Sequence, residues 1–139
     1  MRPLEVEYRS GPSSLPPDAF IGLAVRVWPR AYDLAQVTAA LSKTINIGAW
    51  SKGRLVGAVR ILSDGYLFNT IPEVMVDPEF QRRGIGRALM HRALDVAPGG
   101  RVFFGAQPGN EPFFEQIGFT RGPVGFVGRR EDIMKAHPV

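Results

Sequence analysis

The sequence has 139 residues, of which 45% are hydrophobic and 22% charged, and these proportions exclude a disordered chain and predict one globular domain over residues 1–139. Lys and Arg number 17 against 13 Asp and Glu, so the net charge of +4 favours an anionic ligand. There is no cysteine and there are two histidines, His91 and His137, which excludes thiolate chemistry and a multi-histidine metal centre.

Membrane and export signals are also missing from the sequence. The segment 1–14 lacks the apolar core of a secretory signal, and no run approaches the roughly 18 apolar residues of a membrane span. We therefore expect a cytoplasmic protein without a membrane partner.

The first half of the chain predicts a strand, two helices and a hairpin. Residues Leu4–Tyr8 alternate between apolar and polar side chains, as a half-buried strand does. Asp18 and Asp33 each precede a helical apolar pattern and are candidate N-caps, and Pro29 ends the first helix. The segments INIGAW and RLVGAVRIL predict two strands joined by a turn at Ser51–Gly53.

The second half predicts a broken strand followed by helices and short strands. Leu67–Val76 has a strand pattern, and Pro72 within it indicates a sheet edge or a bulge. Gly84–Ala97 has the pattern of a helix with Ile85, Leu89, Ala93 and Val96 facing inward. The remaining predicted elements are a buried strand at Arg101–Ala106, a helix at Glu111–Ile117 capped by Gly118, and a last strand at Val124–Val127. The predicted order is β-α-α-β-β-β-α-β-α-β.

A glycine-rich entry to the third helix is the most informative segment. The first four N–H groups of a helix have no intrahelical partner, so the amides around Gly84 and Gly86 can surround a phosphate. Arg82, Arg83 and Arg87 add positive charge at the same place. The spacing lacks the third glycine of a dinucleotide fingerprint and the GK[ST] of a P-loop. Taken alone, the glycines also fit a helix that merely packs closely against a strand.

Two motifs together resemble a known family. Gln81–Gly86 reads QRRGIG and resembles the [Q/R]-x-x-G-x-[G/A] signature of GCN5-related N-acetyltransferases. Phe113–Phe119 reads FFEQIGF and is similar to the family's F-Y-x-x-x-G-F element. The resemblance extends over residues 4–128, and the segment SDGYLFNTIPEVMVDPEFQRRGIGRALM is most similar to small arylalkylamine-type acetyltransferases. It implies an α+β fold with a mixed, mostly antiparallel central sheet flanked by helices.

The resemblance also implies a binding site for acetyl-CoA as cosubstrate and no metal. In the family a bulged strand, here at Pro72, opens a gap into which the pantetheine arm inserts, and the helix entry holds the pyrophosphate. Residues implied in donor binding are Met75 and Val76 through their backbone, then Gln81, Arg82, Arg83, Gly84, Ile85, Gly86, Arg87, Gln107 and Phe114.

The resemblance implies roles in catalysis for a few further residues. Glu73 corresponds to an acidic residue that takes a proton from the acceptor amine, although a strand glutamate can equally be solvated or in a salt bridge. Phe114 stands where the family has a tyrosine thought to protonate the leaving thiolate, so no general acid is assigned. Tyr32 and Tyr66 are possible substitutes, although both also fit the role of packing aromatics.

The acceptor is expected beside the first two helices, where Trp28, Arg30 and Tyr32 cluster, with Trp50 or Phe68 as further candidates. These aromatic side chains can equally fill the core of a small domain. We expect an N-acetyltransferase that acts on a primary amine of a small molecule or peptide by direct attack in a ternary complex. The alternative is a catalytically silent CoA-binding sensor or scaffold, which Phe114 favours.

Nucleic acid is not an expected partner, because the sequence has no basic stripe interleaved with aromatic residues. A homodimer is an open possibility.

Overall fold

The computed structural model describes residues 4–137. The chain divides into two compact units at Phe104 and Gly105, and the prediction of a single domain stays a prediction. The first unit contains β1 (Glu7–Ser10), α1 (Pro17–Val27), α2 (Leu34–Leu41), β2 (Ile45–Ser51), β3 (Arg54–Ser63), β4 (Asn69–Thr70), β5 (Val74–Val76) and α3 (Ile85–Val96). The second contains α4 (Glu111–Ile117) and α5 (Arg130–Ala136).

The strands of the first unit form one mostly antiparallel sheet, which confirms the predicted α+β class. The order is β1-β2-β3-β4, and β5 pairs with β3 on the same edge as β4. A parallel bridge joins Thr70 to Phe103. The predicted hairpin between β2 and β3 is confirmed, and Lys52 and Gly53 have φ values of 49° and 75°, as a tight turn with two left-handed residues requires.

A β-bulge separates β4 from β5. Thr70 pairs with Leu62 and Val74 pairs with Val59, so three residues, 71–73, stand opposite two, 60 and 61. Pro72 lies in this bulge, where no ladder N–H is required, which confirms the interpretation of the proline.

Helices cover both faces of the sheet. Phe20, Leu23 and Leu41 of α1 and α2 pack in one buried cluster with Ala58 of β3 and Met75 of β5. Neighbouring strand residues face opposite sides, and a Cβ added to Gly57 would lie 3.0 Å from Ile85 and 3.1 Å from Leu89. The helix α3 therefore packs on the opposite face, at a point where β3 has no side chain.

Several predicted boundaries are wrong by a few residues. The first strand is Glu7–Ser10 rather than Leu4–Tyr8, because these residues are the ones that pair with β2. Asp33 caps α2 by accepting a hydrogen bond from the Gln36 N–H at 2.9 Å, as predicted. Asp18 does not cap α1, because the helix already begins at Pro17, whose fixed φ suits a first helical position.

Three predictions about burial and strands are wrong. Val96, the last residue of α3, is 40% exposed although its helical spacing puts it on the same face as Ile85. In place of a buried strand at Arg101–Ala106 there is the single bridge at Phe103, whose side chain is 40% exposed. Residues Val124–Val127 are exposed and form no strand in the described chain, since a strand pattern needs a ladder partner that this glycine-flanked segment does not have. The helix α5 was not predicted.

An acidic side chain at the end of β5 links three elements. Asp77 is 1% exposed, and its Oδ2 accepts hydrogen bonds from Arg26 Nε of α1 at 2.6 Å and from Arg54 Nη2 of β3 at 2.9 Å. Its Oδ1 accepts one from the Glu79 N–H at 3.0 Å. Burial raises the pKa of Asp77, but the Glu79 N–H and the two arginines outweigh it, so the pKa lies below its usual range.

The described residues, 4–137, include no helix that is long and apolar enough to cross a membrane.

The substitution Gly48→Ala is expected to destabilise the protein by about 2 kcal/mol, because the interior of β2 has no room for a side chain. The added Cβ would lie 2.5 Å from the Ser14 carbonyl oxygen and 2.9 Å from Trp50 Nε1. Urea unfolding measures the loss. Gly22→Ala is the control, since its Cβ meets only Arg26 Nη1 at 3.5 Å and alanine favours the helix. Equal midpoints for both variants would contradict the prediction.

Asp77→Asn is expected to lower the free energy of unfolding by about 2 kcal/mol at pH 7. The loss is smaller than for a fully buried ion pair, because Arg26 and Arg54 keep contact with water. Because the folded protein lowers the pKa of Asp77, its contribution is present above the unfolded value of 3.8 and is lost as pH falls further. The free energies of unfolding of wild type and variant should therefore converge below about pH 4. A difference that stays constant from pH 7 to pH 3 would disprove this account.

Candidate active site

The N-terminus of α3 presents free backbone N–H groups. Gly84 occupies the N-cap position with φ 86° and ψ 2°, and no side chain caps the helix. The first helical bond runs from the Ala88 N–H to the Gly84 carbonyl at 3.0 Å. The amides of Ile85, Gly86 and Arg87 therefore have no intrahelical acceptor, and they lie at the positive end of the helix dipole.

The space in front of this terminus is open and positively charged. A Cβ placed on Gly84 would meet no atom within 4 Å, so the glycine is required for its left-handed backbone rather than for room. Arg82 also has a positive φ, 62°. Arg82, Arg83 and Arg87 are exposed, and none of them forms an ion pair with another described residue. The arrangement suits a phosphate or pyrophosphate.

The backbone of β5 has one edge without a strand neighbour in the described chain. The Asp77 N–H donates to the Val56 carbonyl at 2.8 Å and the Arg60 N–H to the Glu73 carbonyl at 3.4 Å, so odd-numbered residues of this segment point their backbone groups at β3. Val74 and Val76 must then point theirs at the open edge. The Val76 carbonyl accepts a hydrogen bond there from Gln81 Nε2 at 3.0 Å.

This register rules out one residue that was expected to bind the donor through its backbone and indicates another in its place. Met75 directs its backbone groups towards β3 and its side chain, 1% exposed, into the core, so it cannot bond a ligand at the open edge. Val74 shares that edge with Val76 instead. The sequence shows the strand but not which alternate residues pair with β3, because the bulge sets that phase.

On the N-terminal side of the bulge, the same edge of the sheet pairs with Phe103. The Phe103 N–H donates to the Asn69 carbonyl at 2.9 Å, and the Ile71 N–H donates to the Phe103 carbonyl at 3.3 Å. The pairing stops at the bulge, and β5 continues with β3 as its one strand partner among the described strands. This geometry leaves an extended ligand room to lie against Val74 and Val76 as a strand would.

Glu73 lies in the bulge, next to the open edge. Its Oε1 accepts a hydrogen bond from Arg60 Nε at 2.9 Å and lies 2.8 Å from Arg60 Nη2, so the expected alternative of a salt bridge is what the structure contains. The side chain is 15% exposed, and its Oε2 is buried without a hydrogen-bond partner among the described residues. One carboxylate oxygen is therefore paired, and the other is buried without a hydrogen-bond partner among the described residues.

Part of the aromatic cluster expected after α1 is present in the structure. Trp28 is 45% exposed, and its carbonyl accepts a hydrogen bond from the Tyr32 hydroxyl at 2.9 Å. The Arg30 guanidinium lies 4.5 Å from the centre of the Tyr32 ring. Trp50 Nε1 instead donates a hydrogen bond to the Ser14 carbonyl at 3.1 Å, and the Phe68 ring packs at a tilt against Phe103. The structure thus groups Trp28, Arg30 and Tyr32, whereas Trp50 and Phe68 have other partners.

Tyr66, the other tyrosine considered as a proton donor, is 83% exposed in the turn after β3.

Two expected donor-site residues belong to the second unit. Phe114 lies in α4 and packs edge-on against Phe113 and Phe119, with ring centres 5.0 Å and 6.5 Å apart. Gln107 is exposed, and its carbonyl accepts a hydrogen bond from the Asn110 N–H at 2.9 Å. Gly118 caps α4 with φ 110°, as the sequence predicts.

Within the described part of the chain there is no group of three or more His, Cys, Asp or Glu side chains placed to hold a metal ion.

Comparisons with known proteins agree with this geometry. Residues 19–128 match the family described as the acetyltransferase (GNAT) domain. The N-alpha-acetyltransferase RimI of Mycobacterium tuberculosis is 38% identical over 84 residues, which cover 54% of this chain and 51% of the relative. The chain spans about half the length, or less, of the first curated relatives it matches.

Solved structures show the same fold. A GNAT family acetyltransferase from Streptococcus pneumoniae TIGR4 aligns with a TM-score of 0.73 at 21% identity and covers 91% of this chain and 100% of its own. The structure of AAC(6')-Iy, in complex with the bisubstrate analogue CoA-S-monomethyl-acetylneamine, aligns with a TM-score of 0.71 at 18% identity and covers 91% and 99% of the two chains.

The family match covers most of the chain, and the bulged sheet and uncapped glycine-rich helix entry are those that the resemblance implies. The chain belongs to the GNAT family of N-acetyltransferases.

Proposed function

We propose that the protein transfers an acetyl group from acetyl-CoA to the primary amine of a small molecule or peptide, by direct attack of the amine in a ternary complex. The observation that carries this proposal is the uncapped, arginine-flanked N-terminus of α3 at the end of an unpaired strand edge. These two features suit the two chemically different halves of CoA, a pyrophosphate and an amide-containing arm.

On the donor side, the amides from Arg82 to Arg87 bind the pyrophosphate, and the exposed arginines neutralise its charge. The backbone groups of Val74 and Val76 bond the amides of the pantetheine arm, as an added strand would. Gln81 ties the helix entry to the strand through the Val76 carbonyl, so the two parts of the donor site keep a fixed spacing. Bound acetyl-CoA supplies the activated acetyl group.

On the acceptor side, Glu73 accepts the proton that the attacking ammonium must lose. Its Oε2 has no hydrogen-bond partner among the described residues, and the backbone of Glu73 lies in the bulge, next to Val74. Phe114 cannot protonate the departing thiolate. A thiol with a pKa near 8.5 leaves acceptably as an anion, so no general acid is assigned.

The acceptor amine binds near the group formed by Trp28, Arg30 and Tyr32. This assignment rests on their exposure and mutual contacts. One relative is named for N-alpha acetylation, and one structural neighbour is in complex with the bisubstrate analogue CoA-S-monomethyl-acetylneamine, so both peptides and small amines belong in a substrate screen.

The second candidate function is CoA binding without turnover, and Phe114 in place of a tyrosine favours it. The two functions make the same prediction for donor binding and opposite predictions for thiol release. Free thiol is easily followed in this protein, because the chain has no cysteine of its own.

Gly84→Glu is expected to raise the Kd for CoA about 100-fold or more, because it places a carboxylate where the pyrophosphate binds. Isothermal titration with CoA and acetyl-CoA measures this. Gly65→Glu is the matched control, since Gly65 has φ 88° against 86° for Gly84, and a Cβ meets nothing within 4 Å at either position. Absence of CoA binding by the wild type, or equal loss in both variants, would refute the donor site.

Glu73→Gln is expected to lower kcat about 100-fold or more while the Kd for CoA stays within about twofold, because a general base contributes to the chemical step and not to donor binding. Thiol release from acetyl-CoA is measured with 2-phenylethylamine and with a short peptide that has a free α-amino group. Glu79→Gln removes the same charge from an exposed site and should remain active. Donor binding with no turnover by the wild type would favour the silent binder.

A further inference from the structure

The pairing of Arg60 with Glu73 is asymmetric. Arg60 Nε donates a hydrogen bond to Oε1 at 2.9 Å, and Nη2 lies 2.8 Å from the same oxygen. A guanidinium that only balanced the charge of a carboxylate would commonly bond both oxygens in a fork. Here both guanidinium nitrogens lie beside one carboxylate oxygen, and Oε2 has no hydrogen-bond partner among the described residues.

The surroundings hold this arrangement in place. Arg60 and Glu73 stand opposite each other in the ladder, with the Arg60 N–H donating to the Glu73 carbonyl at 3.4 Å, so both side chains leave the same face of the sheet. The guanidinium lies 5.8 Å from the centre of the Phe20 ring of α1. The two side chains are 16% and 15% exposed. A partly desolvated pair of this kind is costly to break.

An unsatisfied buried oxygen in this pair requires a physical explanation. Leaving a buried acceptor without a hydrogen bond is destabilising, and such groups are rare in native proteins. A rotation of the Glu73 side chain could share the guanidinium between both oxygens. Instead, both guanidinium nitrogens lie beside Oε1, and Oε2 has no partner among the described residues.

We propose that Arg60 is a positioning residue, which fixes Glu73 through Oε1 so that Oε2 is the atom that receives the proton of the acceptor amine. This inference rests on the role of Glu73 proposed above. Arg60 itself touches neither substrate, and its effect on turnover passes entirely through Glu73. Oε2 is buried in the unbound chain, so the bound acceptor must displace its neighbours to reach it. The acceptor ammonium then fills the hydrogen-bond position that Oε2 lacks, and one proton moves from nitrogen to that oxygen.

The test compares Arg60→Gln and Arg60→Lys with wild type, using whichever panel amine gives turnover. Arg60→Gln is expected to lower kcat about 10- to 100-fold, because a catalytic group that loses its orientation loses rate on this scale. The KM for acetyl-CoA should change by less than about twofold. Arg60→Lys keeps the charge and one donor and should recover part of the loss. Failure of the lysine variant to exceed the glutamine variant counts against positioning.

A double-mutant cycle separates positioning from a structural role. In a Glu73→Gln background, Arg60→Gln should cause no further loss of kcat, because there is no carboxylate left to orient. Equal losses in both backgrounds would overturn the proposal. Arg54→Gln is the matched control, since Arg54 lies in the same strand and also pairs with a carboxylate, that of Asp77. It should lower the thermal midpoint and keep kcat within about twofold of wild type.

Two failures can be told apart in this experiment. If Glu73→Gln retains wild-type kcat, the proposed base is wrong, and the inference about Arg60 falls with it. If Glu73→Gln is inactive but Arg60→Gln has wild-type kcat with a normal fold by circular dichroism, the base stands and Arg60 does not position it.

Discussion

The candidate site depends on one extra residue in the segment between β4 and β5, opposite β3. Three residues stand opposite two at the bulge, and this offset decides which atoms face which way on both sides of it. On the N-terminal side of the bulge, Thr70 pairs with Phe103. On its C-terminal side, Val74 and Val76 point their backbone groups away from β3. Because the side-chain period of a strand is two, a ladder without this residue would turn Glu73 to the opposite face, away from Arg60.

Charge pairs in the first unit hold different parts of this site. Asp77, at the end of β5, connects α1 and β3 through two arginines, immediately before the turn that leads to α3. Glu73, four positions earlier in the chain, is paired with a third arginine. Asp77 has all its oxygens engaged and acts as a structural joint, whereas Glu73 keeps one oxygen free. The two acids thus differ in how many of their carboxylate oxygens have hydrogen-bond partners. That difference separates a structural carboxylate from a candidate catalytic one.

Much of the fold could be predicted from local pattern. The α2 cap at Asp33, the hairpin at Lys52 and Gly53, the bulge at Pro72 and the helix entry at Gly84 all follow from residues with strong conformational preferences. The strand expected at Val124–Val127 failed because a strand pattern carries no information about the partner that would complete its hydrogen bonds. Arg60 and Val74 were missed for a related reason, since both depend on cross-strand register, which the bulge shifts and local sequence does not reveal.

The close approach of α3 to Gly57 affects how the protein meets its donor. The first turns of α3, which carry the free amides, lie directly on a strand position that has no side chain, with Ile85 3.0 Å and Leu89 3.1 Å from where a Cβ would be. There is no slack in this contact for the helix to move towards the sheet, and the same β3 segment pairs with β5. The two halves of the donor site are therefore parts of one rigid frame. Affinity for acetyl-CoA at the proposed donor site would then come from preorganisation, with little ordering entropy lost on binding.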